Sequence, residues 1–285
     1  MWQGRIIVIF LVLAGLLALG AAAQAGTFVL SGNVLDVGVS AYGSLPDDYF
    51  TAGIVYKPAG PGSDILGNKD NTVPFEIYQI GAGGGWHSIG WGLGAFPATT
   101  YNTSNVLSLS ALTATGVFDL NGANLIYIQN IFFAPDSNRI NFSVDIINAG
   151  AVPATEVVYA RTLDPNPDRS VGGGRATINS IPASNRVRAV GPLTNLYIDL
   201  VDLTGSGVPS VRWPSSPYEL LTQQNLGNGD YVITLAWDIG TLLPGRSVEI
   251  DFYYEVGMVP APPSLLLLGT GILGLLGLRG FTRKI

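Results

Sequence analysis

Residues 139–146 alternate without interruption, with Ile140, Phe142, Val144 and Ile146 on one side and Arg139, Asn141, Ser143 and Asp145 on the other. The same period runs from Tyr231, where Ile233, Leu235, Trp237 and Ile239 oppose Thr234, Ala236 and Asp238. It returns where Val248, Ile250, Phe252 and Tyr254 oppose Glu249, Asp251 and Glu255. Successive side chains of a strand point to opposite faces, so a period of two is the signature of a half-buried strand. No central segment sustains the 3.6-residue apolar period of a helix. Further strands are predicted at 27–30, 49–56, 75–80, 106–109, 125–133, 155–161 and 196–203.

Turn signals separate these runs at Asn148-Ala149-Gly150, Gly227-Asn228-Gly229-Asp230 and Leu243-Pro244-Gly245. The last two bracket 231–239, which predicts a hairpin of 231–239 with 247–256. The expected fold class is all-β, an antiparallel β-sandwich. The segment 98–115 is rich in Ser, Thr and Ala, so a subdivision near 100–120 and a single sandwich with long loops both fit. No fixed-period repeat occurs, which argues against a propeller or solenoid.

Both ends of the chain are apolar. Residues 1–25 read as a secretory signal peptide: Arg5, then an apolar run over 6–19, then Ala23-Gln24-Ala25 as a small-x-small cleavage site. Residues 259–285 carry Val259-Pro260-Ala261-Pro262, an apolar Leu/Gly-rich stretch at 265–278, and a basic stop at Arg279, Arg283 and Lys284. A helix of that length covers roughly 21 Å, short of a hydrocarbon core of about 30 Å, so it makes a marginal anchor. Basic residues after it place the large domain on the far side of the membrane. A plain C-terminal anchor accounts for the same residues.

Between the ends, residues 26–258 form the expected domain, long enough for one large β domain or two small ones. The chain has 14 basic and 20 acidic residues, and Arg5, Arg279, Arg283 and Lys284 lie in the ends. The centre therefore carries 10 basic against 20 acidic residues, the wrong sign for neutralising nucleic-acid phosphates. With no Cys, the chain has no disulfide framework, thiolate zinc site or Cys nucleophile.

The tripartite tail resembles the PEP-CTERM sorting signal, in which a Pro-x-Pro motif precedes a Leu/Gly-rich membrane helix and an Arg-rich end. Val259-Pro260-Ala261-Pro262 keeps both prolines and has Ala261 where that family usually has Glu. The resemblance covers the last 27 residues or so. It implies a Gram-negative host, an exosortase-like membrane transpeptidase as partner, and association with exopolysaccharide or biofilm. Export, inner-membrane anchoring before processing, and a final place at the cell surface or outside it follow from the same likeness. Asn148-Ala149-Gly150 through Asp164, with Leu243-Pro244-Gly245-Arg246-Ser247, looks loosely like exported immunoglobulin-like sandwich modules.

No catalytic, cofactor-binding or metal-binding residue is expected. His87 is the only histidine, so a Ser/His/acid relay would need it, but no Gly-x-Ser-x-Gly elbow exists and its surroundings read as a loop. Gly83, Gly84 and Gly85 lack the following helix and Lys of a phosphate cradle. Asp164-Pro165-Asn166-Pro167-Asp168 spaces oxygen ligands as a calcium loop does, but Arg169 and Arg175 count against a cation, and a plain Asp/Asn/Pro turn explains the same residues without metal. Asp47, Asp48, Glu76 and Asp145 are scattered acids, and two across a cleft are what glycoside hydrolysis requires. Trp86, Trp91 and Trp213 could stack on sugar rings, whereas Trp237 belongs to the core. The expected role is thus a non-enzymatic structural or adhesive surface protein. A carbohydrate- or calcium-binding module is the alternative, and a polysaccharide-active hydrolase comes after it.

Overall fold

The alternation over 139–148 becomes a central strand in the computed structural model, which describes residues 28–40, 43–45, 53–60, 64–66, 76–90, 100–106 and 109–260. In chain order the strands are β1 (Phe28–Ser31), β2 (Leu35–Val39), β3 (Ile54–Tyr56), β4 (Glu76–Ala82), β5 (Gly85–Ile89) and β6 (Thr100–Val106). Then come β7 (Leu109–Leu120), β8 (Ala123–Phe133), β9 (Arg139–Asn148), β10 (Ala154–Leu163) and β11 (Ile178–Ala183). The last are β12 (Arg186–Val190), β13 (Leu196–Asp202), β14 (Val208–Arg212), β15 (Val232–Leu242) and β16 (Ser247–Met258). They form three antiparallel sheets, ordered β1-β2-β3, β14-β15-β10-β4-β5 and β11-β12-β13-β16-β9-β8-β7-β6. The expected antiparallel all-β class is what is found. Among the described residues no helix is long and apolar enough to cross a membrane. The signal peptide at 1–25, the apolar stretch at 265–278, Ala261, Pro262 and the basic stop at Arg279, Arg283 and Lys284 lie outside the described residues.

The apolar sides of the alternating runs build one core. Ile140, Phe142, Val144 and Ile146 of β9 are buried together with Ile233, Leu235 and Trp237 of β15 and Ile250, Phe252 and Tyr254 of β16. The faces meet through rings: Phe142 stacks on Phe252 at 4.7 Å, Trp237 lies 5.4 Å from both Phe252 and Tyr159, and Tyr78 stacks on Tyr127 at 4.7 Å. Buried aromatic pairs of this kind add about 0.5–1.5 kcal/mol each beyond their buried area.

Two expectations about connectivity are corrected. β15 and β16 do not form a hairpin: β15 lies between β10 and β14, and β16 lies between β9 and β13 in another sheet. The turn at Leu243-Pro244-Gly245 instead carries the chain from one sheet to the other. It packs on the Asn148 turn, where Gly245 N–H donates to the Asn148 carbonyl and the Arg246 carbonyl accepts from Asn148 N–H. The second correction is at 106–109, read as one strand, where β6 ends and β7 begins.

A charged cluster sits inside this core. Arg161 of β10 pairs with Glu76 at the head of β4, both fully buried. Arg161 also donates to Gln129 Oε1 at 2.6 Å and to the Tyr254 hydroxyl at 3.0 Å, and Tyr254 donates to Glu76 Oε1 at 2.7 Å. Its guanidinium lies 4.7 Å from the Phe142 ring centroid. The other Glu76 oxygen accepts from Leu45 N–H, and Gln129 donates to the Gly43 carbonyl. The ion pair lies within the five-stranded sheet, and its hydrogen bonds to Gln129 and Tyr254 join that sheet to the eight-stranded one and to the segment that follows β2.

Candidate functional site

The outer face of the five-stranded sheet is covered at one place by a single helical turn, α1 (Pro217–Leu220). Ser216 caps it by accepting from Glu219 N–H, and Pro217 opens its first turn with a φ already suited to a helix. Leu220 packs on Ala160 and Ala236, which explains why Ala236, on the polar side of its alternating run, is buried. Gln79 fixes the approach by donating to the Ser215 carbonyl at 3.0 Å. Tyr218 then lies over Gly81 and donates to the Gly85 carbonyl at 3.0 Å. A β-carbon at position 81 would stand 2.8 Å from the Tyr218 hydroxyl and 2.7 Å from Val158, so only glycine leaves room for this ring.

Beside Tyr218 opens a cleft of about 550 Å3, lined also by Gly84, Glu156, Val158, Asp238 and Thr241. Glu156 reaches it through a bulge. The register of β10 against β15 shifts between Ala154 and Val158, and Glu156 takes the left-handed backbone conformation at φ 51°. A side chain at such a φ costs about 1–3 kcal/mol, and bulges turn side chains out of the regular pleat. Asp238 stands opposite Val158 on β15 and is exposed. Trp86 faces Gly81 across the β4–β5 pair, and opposed residues share a face, so its half-exposed ring belongs to the same outer surface as Tyr218. The arrangement offers two carboxylates as hydrogen-bond acceptors and proton carriers, with flat aromatic surface nearby. The volume lies within the range usual for small-ligand sites.

The residues singled out from sequence fall in different places. His87 is not in a loop but on β5, opposite Ile80 and 6.4 Å from the Phe118 ring. Gly83 and Gly84 make the β4–β5 turn at positive φ. Glu76 is the core ion-pair partner, and Asp145 is on the outer face of the eight-stranded sheet, where burial, Glu249 and Asp251 push its carboxyl up. Asp47, Asp48 and Trp91 lie outside the described residues. Trp213 is exposed and stands edge-on to Tyr231 at 5.1 Å. Val259 and Pro260 of the expected sorting motif follow directly on β16.

The 164–168 segment is a clamp. Asp168 spends one oxygen on Leu193 N–H and the other on the Thr194 N–H and hydroxyl, so the calcium ligand set read there is not assembled. Asp164 is pushed up from the ordinary carboxylate range to about 7 by burial and by the Asp230 carboxylate, against the pull of Arg175 and a hydrogen bond with Asn166. Since the fold holds this proton more tightly than the unfolded chain does, stability falls as pH rises from about 4 to about 7. Asp164→Asn is therefore expected to raise stability at pH 8 by about 1–3 kcal/mol and to leave it nearly unchanged at pH 4. Urea unfolding at the two pH values measures this, and equal effects at both would refute it.

Glu156, Asp238 and Tyr218 were not foreseen. The signal for Glu156 was Thr155-Glu156, a pair of polar residues that breaks the alternation ahead of Val157.

No family model matches the sequence, and no curated protein matches it. Solved structures share its fold. The Slr1438 protein from Synechocystis has a TM-score of 0.51 at 10% identity, covering 83% of this chain and 97% of that one. An Escherichia coli K12 protein provisionally described as an aldose 1-epimerase has a TM-score of 0.48 at 11% identity, over 82% and 99% of the two chains. A galactose mutarotase related enzyme from Lactobacillus acidophilus has 0.44 at 9%, over 83% and 100%. At such identities the likeness is one of fold.

The expected non-enzymatic structural or adhesive role is corrected by the geometry of the cleft. The expectation had rested on acids that looked scattered, and the fold brings Glu156 and Asp238 into one cleft.

Proposed function

We propose that the domain is a carbohydrate-active enzyme that takes a saccharide in the outer-face cleft. The observation that carries this reading is the meeting of Glu156, Asp238 and Tyr218 in one cleft next to the exposed Trp86. A pyranose has one flat C–H face that suits an indole ring and a rim of hydroxyls that suits carboxylate acceptors. Two carboxylates facing one sugar can give and take protons at its oxygens, the chemistry shared by anomer interconversion and glycosidic bond cleavage. Tyr218, held by Gly85, supplies a fixed wall.

The finer architecture fits a sandwich, the five- and eight-stranded sheets packing across the aromatic core, to which the three-stranded sheet adds the buried Leu35, Val37 and Ile54. The tail supports export and sorting: residues 1–25 as the signal peptide, 26–258 as the domain, and 259–285 as a PEP-CTERM-like signal handled by an exosortase-like transpeptidase. An exported domain of this kind meets polysaccharide outside the cell, which makes extracellular polysaccharide its substrate class.

The test uses the purified chain. Polarimetry on anomerically pure sugars and release of reducing ends from polysaccharides report the two reactions, and a glycan array reports binding. Activity in either assay supports the reading. Inactivity in both, with no glycan retained, overturns it.

A further inference from the structure

We propose that the end of the domain from which the chain leaves the fold is a bilayer-contacting face, and that it holds the saccharide cleft pointed away from the membrane. This inference rests on the reading of the tail given above as a membrane-inserting segment.

Three exposed apolar side chains gather at the exit. β16 ends at Met258, and Val259 N–H donates to the Asn195 carbonyl at 2.8 Å. The turn holding Asn195 also holds Leu193, and Asp168 fastens that turn to the loop bearing Val171. Leu193, Val171 and Met258 are 66%, 55% and 47% exposed. Single exposed apolar residues are ordinary on protein surfaces, and three around the point where an apolar tail departs are a different matter. Trp213 is at the same level, because Arg212 pairs with Val232 at the start of β15, beside the end of β10.

Both signs of charge are present at the exit end, where Arg169 and Arg175 on the segment between β10 and β11 stand with Asp164, Asp168 and Asp230, and the opposite end holds Arg246 as well as Asp119 and Glu249. Tryptophan and arginine around an apolar patch suit the headgroup region.

The distances agree. Residues 261–264 separate Pro260 from the apolar run at 265–278 and can span at most about 14 Å. A run inserted in the bilayer therefore keeps the exit end against the headgroups. Glu156 stands eight residues from Asp164 along β10, about 25 Å further out. The cleft then opens toward material outside the membrane, where a polymeric substrate can enter it.

Since the chain has no native Cys, single reporters can be placed at will. The full chain carrying Leu193→Cys, Glu156→Cys or Ile272→Cys, each with an environment-sensitive fluorophore, is reconstituted in phosphatidylcholine/phosphatidylglycerol vesicles containing doxyl-labelled lipid. Emission should at least halve at 193 and 272 and stay unchanged at 156. Quenching at 272 alone means that the domain hangs free, and it overturns the face while leaving the tail reading intact. Quenching at 156 in place of 193 reverses the orientation and overturns it too. An unquenched reporter at 272 overturns the tail reading, and the face with it. Leu193→Asp together with Met258→Asp should abolish quenching of a Val171→Cys reporter; persistence of that quenching refutes the face.

Discussion

Arg161→Met is expected to destabilise the domain by about 3–5 kcal/mol, a large share of the roughly 5–15 kcal/mol that holds a typical domain together. The side chains of Arg161 and Glu76 are both completely buried, so removing the guanidinium leaves a carboxylate in the core without its counter-charge. Burial pushes the Glu76 carboxyl up, while Arg161 and Tyr254 hold it down, and that balance is lost with the arginine. The loss extends beyond the pair. Gln129 loses a donor, and the Leu45 segment is left bonded to an uncompensated charge. Arg161→Lys should cost less than methionine yet remain destabilising, because an ammonium cannot reach Glu76, Gln129 and Tyr254 together in the fork geometry. Adding Glu76→Gln to Arg161→Met should restore much of the stability, since the desolvated charge disappears with its partner. Urea unfolding followed by Trp237 fluorescence gives all three numbers. An Arg161→Met protein within about 1 kcal/mol of the parent would show that the pair is not the clasp described.

Glu156→Gln and Asp238→Asn should each lower turnover of the saccharide by about 10²–10⁴, the usual contribution of a positioned acid or base. Both side chains are exposed, so neither change should move stability by more than about 0.5 kcal/mol. Glutamine and asparagine keep the shape of the side chain and remove the proton-carrying group, which separates chemistry from cleft geometry. Trp86→Ala should weaken binding by raising KM and leave kcat largely intact, as expected for a surface that contacts ground and transition states alike. Turnover that survives both carboxylate changes would place the chemistry elsewhere in the fold.

Much of the fold was legible because β structure writes its burial into every second residue. The inward sets at 140–146 and 250–254 were read correctly, and Trp237 is as buried as expected. Strands with a less regular pattern were missed. Arg186–Val190 places two arginines on one face, where Arg188 and Arg186 pair with the buried Asp199 of β13. Gly85–Ile89 was taken for a loop because its glycine-rich start hides the strand that follows. The 231–256 hairpin failed for another reason: a turn signal states that the chain reverses, not which sheet receives the second strand. That choice depends on partners from β9, β10, β13 and β14, distant in sequence.

The sequence by itself determined the antiparallel β class, the inward faces of its clearest strands, and the acidity that argues against nucleic acid. Each is a local property, readable from neighbouring residues. Only the tertiary structure decided which side chains meet. It sent β15 and β16 to separate sheets and buried Glu76 against Arg161. It turned Asp168 into a clamp, and it drew Glu156, Asp238 and Tyr218 into one cleft from three remote segments. Those meetings follow from strand order and register, set by packing over the whole chain, and no local pattern encodes them.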